Sequence, residues 1–188
     1  MIKGIAIGFV LGVVAVTGVL FSYFAGGMAP VATADPPMPF EKKLANMSLD
    51  AHIEKQHSVQ SPVSADEATF LAGAGVYKRH CAVCHGLPGQ VPSEYAATMY
   101  PNPTQLFRGK VVTDDPAAES YWKAANGIRL SGMPAFKTKL NDTQLWQVSQ
   151  LVAHANEISD SVKSILATPD TTLAPVPPSA QTTNSVAK

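Results

Sequence analysis

Cys81-Ala82-Val83-Cys84-His85 is the stretch on which the reading of this chain turns. Two cysteines separated by two residues, with a histidine directly after, form the pattern of c-type haem attachment. The spacing has a chemical reason. Each thiol adds to one vinyl group on the same edge of a porphyrin, and His85 is then held beneath the iron, where a ring nitrogen takes an axial position. The expected cofactor is one covalently attached haem c, bound by Cys81, Cys84 and His85.

Three other readings of the motif are weaker. A thioredoxin-like redox pair wants a βαβ context, which does not follow here, and leaves His85 without a role. A zinc site needs four ligands, and His52, His57, His80 and His154 lie at no zinc-finger spacing from the cysteines. A disulfide between Cys81 and Cys84 closes a very short loop and contributes little. The chain has only these two cysteines, so there is no wider disulfide framework.

At 188 residues the chain suits one globular domain with tails. Its formal net charge of zero gives no field that argues for nucleic acid. Residues 5–24 are apolar apart from Thr17, Ser22 and several glycines, and Lys3 is the one charge before or within them. About twenty residues rising about 1.5 Å each span a hydrocarbon core. That length favours an uncleaved transmembrane anchor over residues 1–27. A signal segment cleaved near Ala34, at Ala32-Thr33-Ala34, is the alternative. Either way the remainder is exported, with Lys3 on the inner side.

Residues 28–63 read as a linker, rich in Gly, Ala and Pro, followed by a short helix over residues 40–57. Leu44, Met47, Leu49 and Ile53 form a loose apolar stripe there, and His52 and His57 read as solvated. Ser64-Ala65-Asp66-Glu67 is a capping box that opens a helix to about His80. Four prolines break residues 86–108 and leave room only for a short helix over 93–98. Asp115-Pro116 reads as an N-cap followed by proline at the first helical position, opening a helix that ends at Gly127. Asn141 and Gln144 cap an amphipathic helix reaching about Asn156. A last helix covers 159–166, and the Pro-, Thr- and Ser-rich tail 168–188 reads as disordered. With no competing strand pattern, the expected fold is all-α: a domain over residues 64–167 of about four to five helices.

Asn126-Gly127-Ile128-Arg129-Leu130-Ser131-Gly132-Met133-Pro134-Ala135-Phe136 supplies the other side of a haem. Met133 sits between glycine and proline, in a loop rather than on a helix face where methionine usually fills a core. Its thioether is a soft ligand suited to haem iron. Met99, in Thr98-Met99-Tyr100-Pro101, is the second candidate and reads better as a wall residue.

Gly73-Ala74-Gly75-Val76-Tyr77, Cys81 to Gly86, Asn126-Gly127-Ile128, Gly132 to Phe136 and Leu145-Trp146-Gln147-Val148 follow one another in an order that resembles the class I monohaem cytochrome c family. The chain is most similar to bacterial, membrane-anchored members with a cbb3-type cytochrome c domain, over about residues 40–166. The resemblance implies a small all-α domain around covalent haem. It implies that Gly73 and Tyr77 meet Val148 and Leu151 where the first helix of the domain crosses a later one. It implies that a carbonyl in Pro103-Thr104-Gln105-Leu106 accepts from the His85 ring, and that Trp122 packs near the haem edge.

One-electron transfer is the implied function, through a haem with His85 and Met133 as axial ligands to iron, in a respiratory or periplasmic chain. A haem subunit of a larger dehydrogenase or oxidase is the alternative, and a gas sensor a more distant one. No paired carboxylates and no nucleophile constellation suggest an enzyme. Redox proteins, membrane-associated dehydrogenases or oxidases, are the expected partners. Arg129, Lys137 and Lys139 form a basic face beside the Met loop, which is either simply solvated or steers an acidic partner. The haem domain is expected in the periplasm, held there by the membrane anchor or soluble if the segment is cleaved.

Overall fold

A computed structural model describes residues 2–55, 59–108 and 115–168. Among these the chain is all-α, with eight helices and no strand. It divides between Glu54 and Lys55 into two compact units.

The first unit holds α1 (Ile2–Ala25) and α2 (Glu41–Glu54). The 24 residues of α1 make a rod of about 36 Å, long and apolar enough to cross a membrane, with no residue buried within the protein. Between the helices, the Asp35 carboxylate accepts from the backbone N–H groups of Val31 and Ala32, each at 2.9 Å, which folds Ala32-Thr33-Ala34 into a turn. Those two bonds hold the Asp35 pKa below its ordinary value. Leu44 and Met47 of the expected apolar stripe are exposed. His57 and residues 169–188 of the expected tail lie outside the described residues.

The second unit contains α3 (Glu67–His80), α4 (Ala82–His85), α5 (Glu94–Thr98), α6 (Ala117–Asn126), α7 (Asp142–Ala153) and α8 (Asp160–Ala167). Its core forms where α3 lies across α7, with α8 and α6 against them. Phe70, Ala74 and Tyr77 of α3 pack there with Leu145, Val148 and Leu151 of α7 and Val162 and Leu166 of α8. Gly73 lets the helices meet: a Cβ there would collide with the Gln147 carbonyl oxygen and stand 3.1 Å from Leu151 Cβ. Tyr121 stacks on buried Trp146 with ring centroids 4.1 Å apart, which fixes α6 to α7.

The caps correct the sequence reading in two places. Ser64 does not open α3. Asp66, directly before the first helical residue, accepts from Thr69 N–H at 2.9 Å, and a carboxylate at a helix N-terminus is favoured by the dipole as well. Glu67 turns outward from its supposed capping box and accepts from Ser159 Oγ at 2.7 Å, joining α3 to the start of α8. Asp115 does not cap α6 either: Pro116 occupies the cap position with extended backbone. The Asp115 carboxylate pairs with Lys123, which also binds Glu119 at 2.7 Å. Burial works against the Lys123 charge, but these two carboxylates outweigh it and its pKa is raised.

The Asn141–Gln144 capping box forms in both directions. The short helices expected over 93–98 and 159–166 are α5 and α8, with Ser93 and Ser159 as their caps. α7 stops at Ala153, before the expected Asn156, and residues 154–157 form a turn.

Candidate functional site

The Cys-x-x-Cys-His run lies on the single turn of α4 and its cap. Cys81 ends α3 and begins α4, so both thiols and the imidazole leave one short, tightly wound segment. His85 N–H donates to Cys81 O at 2.9 Å and Gly86 N–H to Ala82 O at 2.9 Å. Gly86 then turns the chain away with φ +73°. Both cysteines are half-buried free thiols. Desolvation, with the neighbouring Cys84 adding to it, pushes the Cys81 thiol up to about 12.

His85 is oriented by a backbone carbonyl. Its Nδ1 lies 2.7 Å from Thr104 O. A carbonyl oxygen can only accept, so Nδ1 carries the proton and Nε2 keeps its lone pair. This is the arrangement that fixes the ring of a metal-binding histidine and raises its basicity. Burial lowers the His85 pKa, and the bond to Thr104 offsets part of that. The ring is therefore biased toward its neutral, donor form.

Met133 is placed by a separate loop, tied to the end of α6. Gly127 N–H donates to Lys123 O at 2.8 Å, Phe136 N–H to Ala124 O at 3.0 Å and Lys137 N–H to Ala125 O at 3.3 Å. Within the loop, Ile128 N–H donates to Met133 O at 3.2 Å, and Met133 N–H to Ser131 Oγ at 3.2 Å. Gly127 is required twice over. Its φ of +69° suits glycine, and a Cβ would stand 2.8 Å from backbone atoms of Met133, Pro134 and Ala135.

The two halves of the site approach each other through side chains. Phe136, at the end of the Met loop, meets His80, the residue before Cys81, edge to face at 6.2 Å. The Met99 methyl fills the space where a Gly132 side chain would lie, so Met99 forms a wall against the Met loop. Trp122 is half-buried on α6, while its neighbour Tyr121 makes the core stack.

Several hydrogen bonds around the attachment turn were not apparent from the sequence. Tyr77 Oη donates to Gly86 O at 2.8 Å, Ser93 Oγ to Val83 O at 2.5 Å and Gln105 Nε2 to Cys84 O at 2.9 Å. Each joins two segments outside a helical repeat through a polar atom, which periodicity does not register. The Gly132–Met99 contact spans still more of the chain.

Among the described residues no group of three or more His, Cys, Asp or Glu is assembled to hold a metal ion. The groups present are one imidazole, two thiols on the same turn and a methionine thioether in a shaped loop. They do not make a protein-only metal centre. They fit a haem: the imidazole and the thioether would be donors to its iron, whose other ligands belong to the porphyrin, and the thiols would bond the porphyrin edge.

Comparison with a family model agrees. A family model described as cytochrome c oxidase, cbb3-type, subunit III matches residues 68–152. No curated protein matches the chain significantly. Among solved structures the chain is similar to a subunit of the reducing HAO-like protein complex of Kuenenia stuttgartiensis, with 26% sequence identity and a TM-score of 0.42. The match covers 50% of this chain and 48% of that one, so this chain spans about half the length of its structural relative. The match to residues 68–152 takes in the whole of the α3–α4 junction and the Met loop, and it identifies this part of the chain as a cbb3-type cytochrome c domain, a haem-binding domain of electron transfer.

Proposed function

We propose that the protein is a one-electron carrier with a single haem c, bound through Cys81 and Cys84 and ligated by His85 and Met133. The observation that carries the reading is the 2.7 Å contact between His85 Nδ1 and Thr104 O, because it leaves Nε2 as the free donor on the turn that bears both thiols. When bound, the haem supplies a ferrous/ferric couple, and methionine ligation sets that couple high.

The remaining work belongs to the chain. Cys81 and Cys84 hold the porphyrin edge. Thr104 holds the His85 ring in one orientation. The α6 tether and Gly127 hold Met133 on its loop. With His85 and Met133 both given to the iron, the chain would leave no vacant site there for oxygen or a substrate, and the protein itself would make and break no bond. Fixed ligands also change little between oxidation states, which favours fast transfer.

α1 serves in this reading as a membrane anchor that keeps the domain on the periplasmic face, close to membrane-associated dehydrogenases or oxidases. Tethering raises the effective concentration of such partners. Arg129, Lys137 and Lys139 are exposed along the Met loop and its exit, which suits an acidic partner surface. The name of the matching family, a subunit of an oxidase, supports a second reading in which the chain is the haem subunit of a larger complex.

Haem attachment is tested by expressing the chain with a cytochrome c maturation system and staining a denaturing gel for haem. The wild type is expected to stain, and Cys81→Ala to lose most or all of the stain. A wild-type band without haem would overturn the reading.

A further inference from the structure

The attachment helix is so short that its terminal carbonyls have no partners within it. Four consecutive carbonyls are nevertheless all satisfied, each by a different donor. Val83 O accepts from Ser93 Oγ at 2.5 Å, Cys84 O from Gln105 Nε2 at 2.9 Å, His85 O from Leu106 N–H at 3.2 Å and Gly86 O from Tyr77 Oη at 2.8 Å. Two of these donors, Gln105 and Leu106, belong to the turn that presents Thr104 O to the His85 ring.

We propose that Gln105 is a positioning residue that sets the haem potential by holding the Thr104 carbonyl on His85 Nδ1. This deepens the reading above and rests on His85 being the iron ligand. The Gln105 amide nitrogen donates in two directions, to Cys84 O on the helix and to Pro103 O at 3.1 Å on its own turn. Its two N–H groups are thus both spent, one on each of the segments that must stay in register. Its Oε1 lies where a Gly86 side chain would be, so the glycine at that turn gives the amide its room. Pro103 on one side and Leu106 on the other are then pinned, and the Thr104 carbonyl between them has little freedom. Among the described residues, the hydrogen bonds that still tie the turn to α4 without the amide are Leu106 N–H to His85 O and the ring bond itself. A looser acceptor makes the imidazole a weaker electron donor, which favours ferrous over ferric iron.

The test compares redox titrations of the full-length holoprotein with those of Gln105→Leu and Ser93→Ala. Gln105→Leu is expected to raise the midpoint potential and to speed exchange of the His85 Nδ1 proton, with haem content and the thioether-to-iron band unchanged. Ser93→Ala removes a tie to the same helix but not to the Thr104 turn, and is expected to leave the potential where it is. An unchanged potential in Gln105→Leu overturns the proposal, as does an equal rise in both variants, since that marks general loosening. If Gln105→Leu yields no holoprotein, the wild type still decides: the Gln105 side-chain amide protons are expected to be protected from exchange, and exchange as fast as that of an exposed amide overturns the assignment. Failure of the underlying ligand reading is seen separately, as an absence of paramagnetic shifts on the His85 ring in the ferric wild type.

Discussion

At the scale of single residues, the site consists of donors whose chemistry the fold has already committed. The imidazole of His85 cannot present Nδ1 to iron, because that atom carries a proton held by Thr104. The sequence offered His85 and Met133 as candidate ligands, and the family resemblance implied a turn that supplies that carbonyl. It did not show Gln105 as the brace, because an amide in a proline-rich segment has no pattern to announce it. Met133 occupies the complementary position in this account, and the identity of its side chain governs the potential. Met133→His is therefore expected to retain covalent haem while lowering the midpoint potential, since histidine stabilises ferric iron more than a thioether does. A potentiometric titration checks this, and an unchanged potential would remove Met133 from the ligand set.

At the scale of elements, α3 and α7 carry the architecture, and two glycines on α3 separate packing from propensity. Gly73 faces the α7 backbone with no room for a Cβ, whereas Gly75 has nothing within 4 Å of where one would lie. Gly73→Ala is expected to cost about 1–3 kcal/mol through overpacking. Gly75→Ala is expected to gain about 0.5–1 kcal/mol through helix propensity. Denaturant midpoints of the two variants should move in opposite directions, and a stabilised Gly73→Ala would contradict the close crossing. The helices themselves were legible because periodicity and caps are local signals. The Asn141–Gln144 box lies where the residues indicate, as do the short helices that Ser93 and Ser159 cap. The misplaced caps arose where other partners competed. Ser159 took the Glu67 carboxylate from its capping box, and Lys123, within α6, took the Asp115 carboxylate from the cap position.

At the scale of the molecule, a long apolar helix and a haem domain share one chain, and the account treats the first as the tether of the second. The intact protein is expected to stay with the membrane pellet after an alkaline carbonate wash. Haem protein in the soluble periplasmic fraction, with its new N-terminus near Ala34, would show that the segment is a cleaved signal instead. The central claim is that the domain closes both faces of its haem and so carries electrons without binding a substrate. It is tested most directly by the visible spectrum of the reduced, purified holoprotein before and after carbon monoxide is added. The account predicts a six-coordinate low-spin spectrum that carbon monoxide does not change, and rapid formation of a carbon monoxide complex would contradict it.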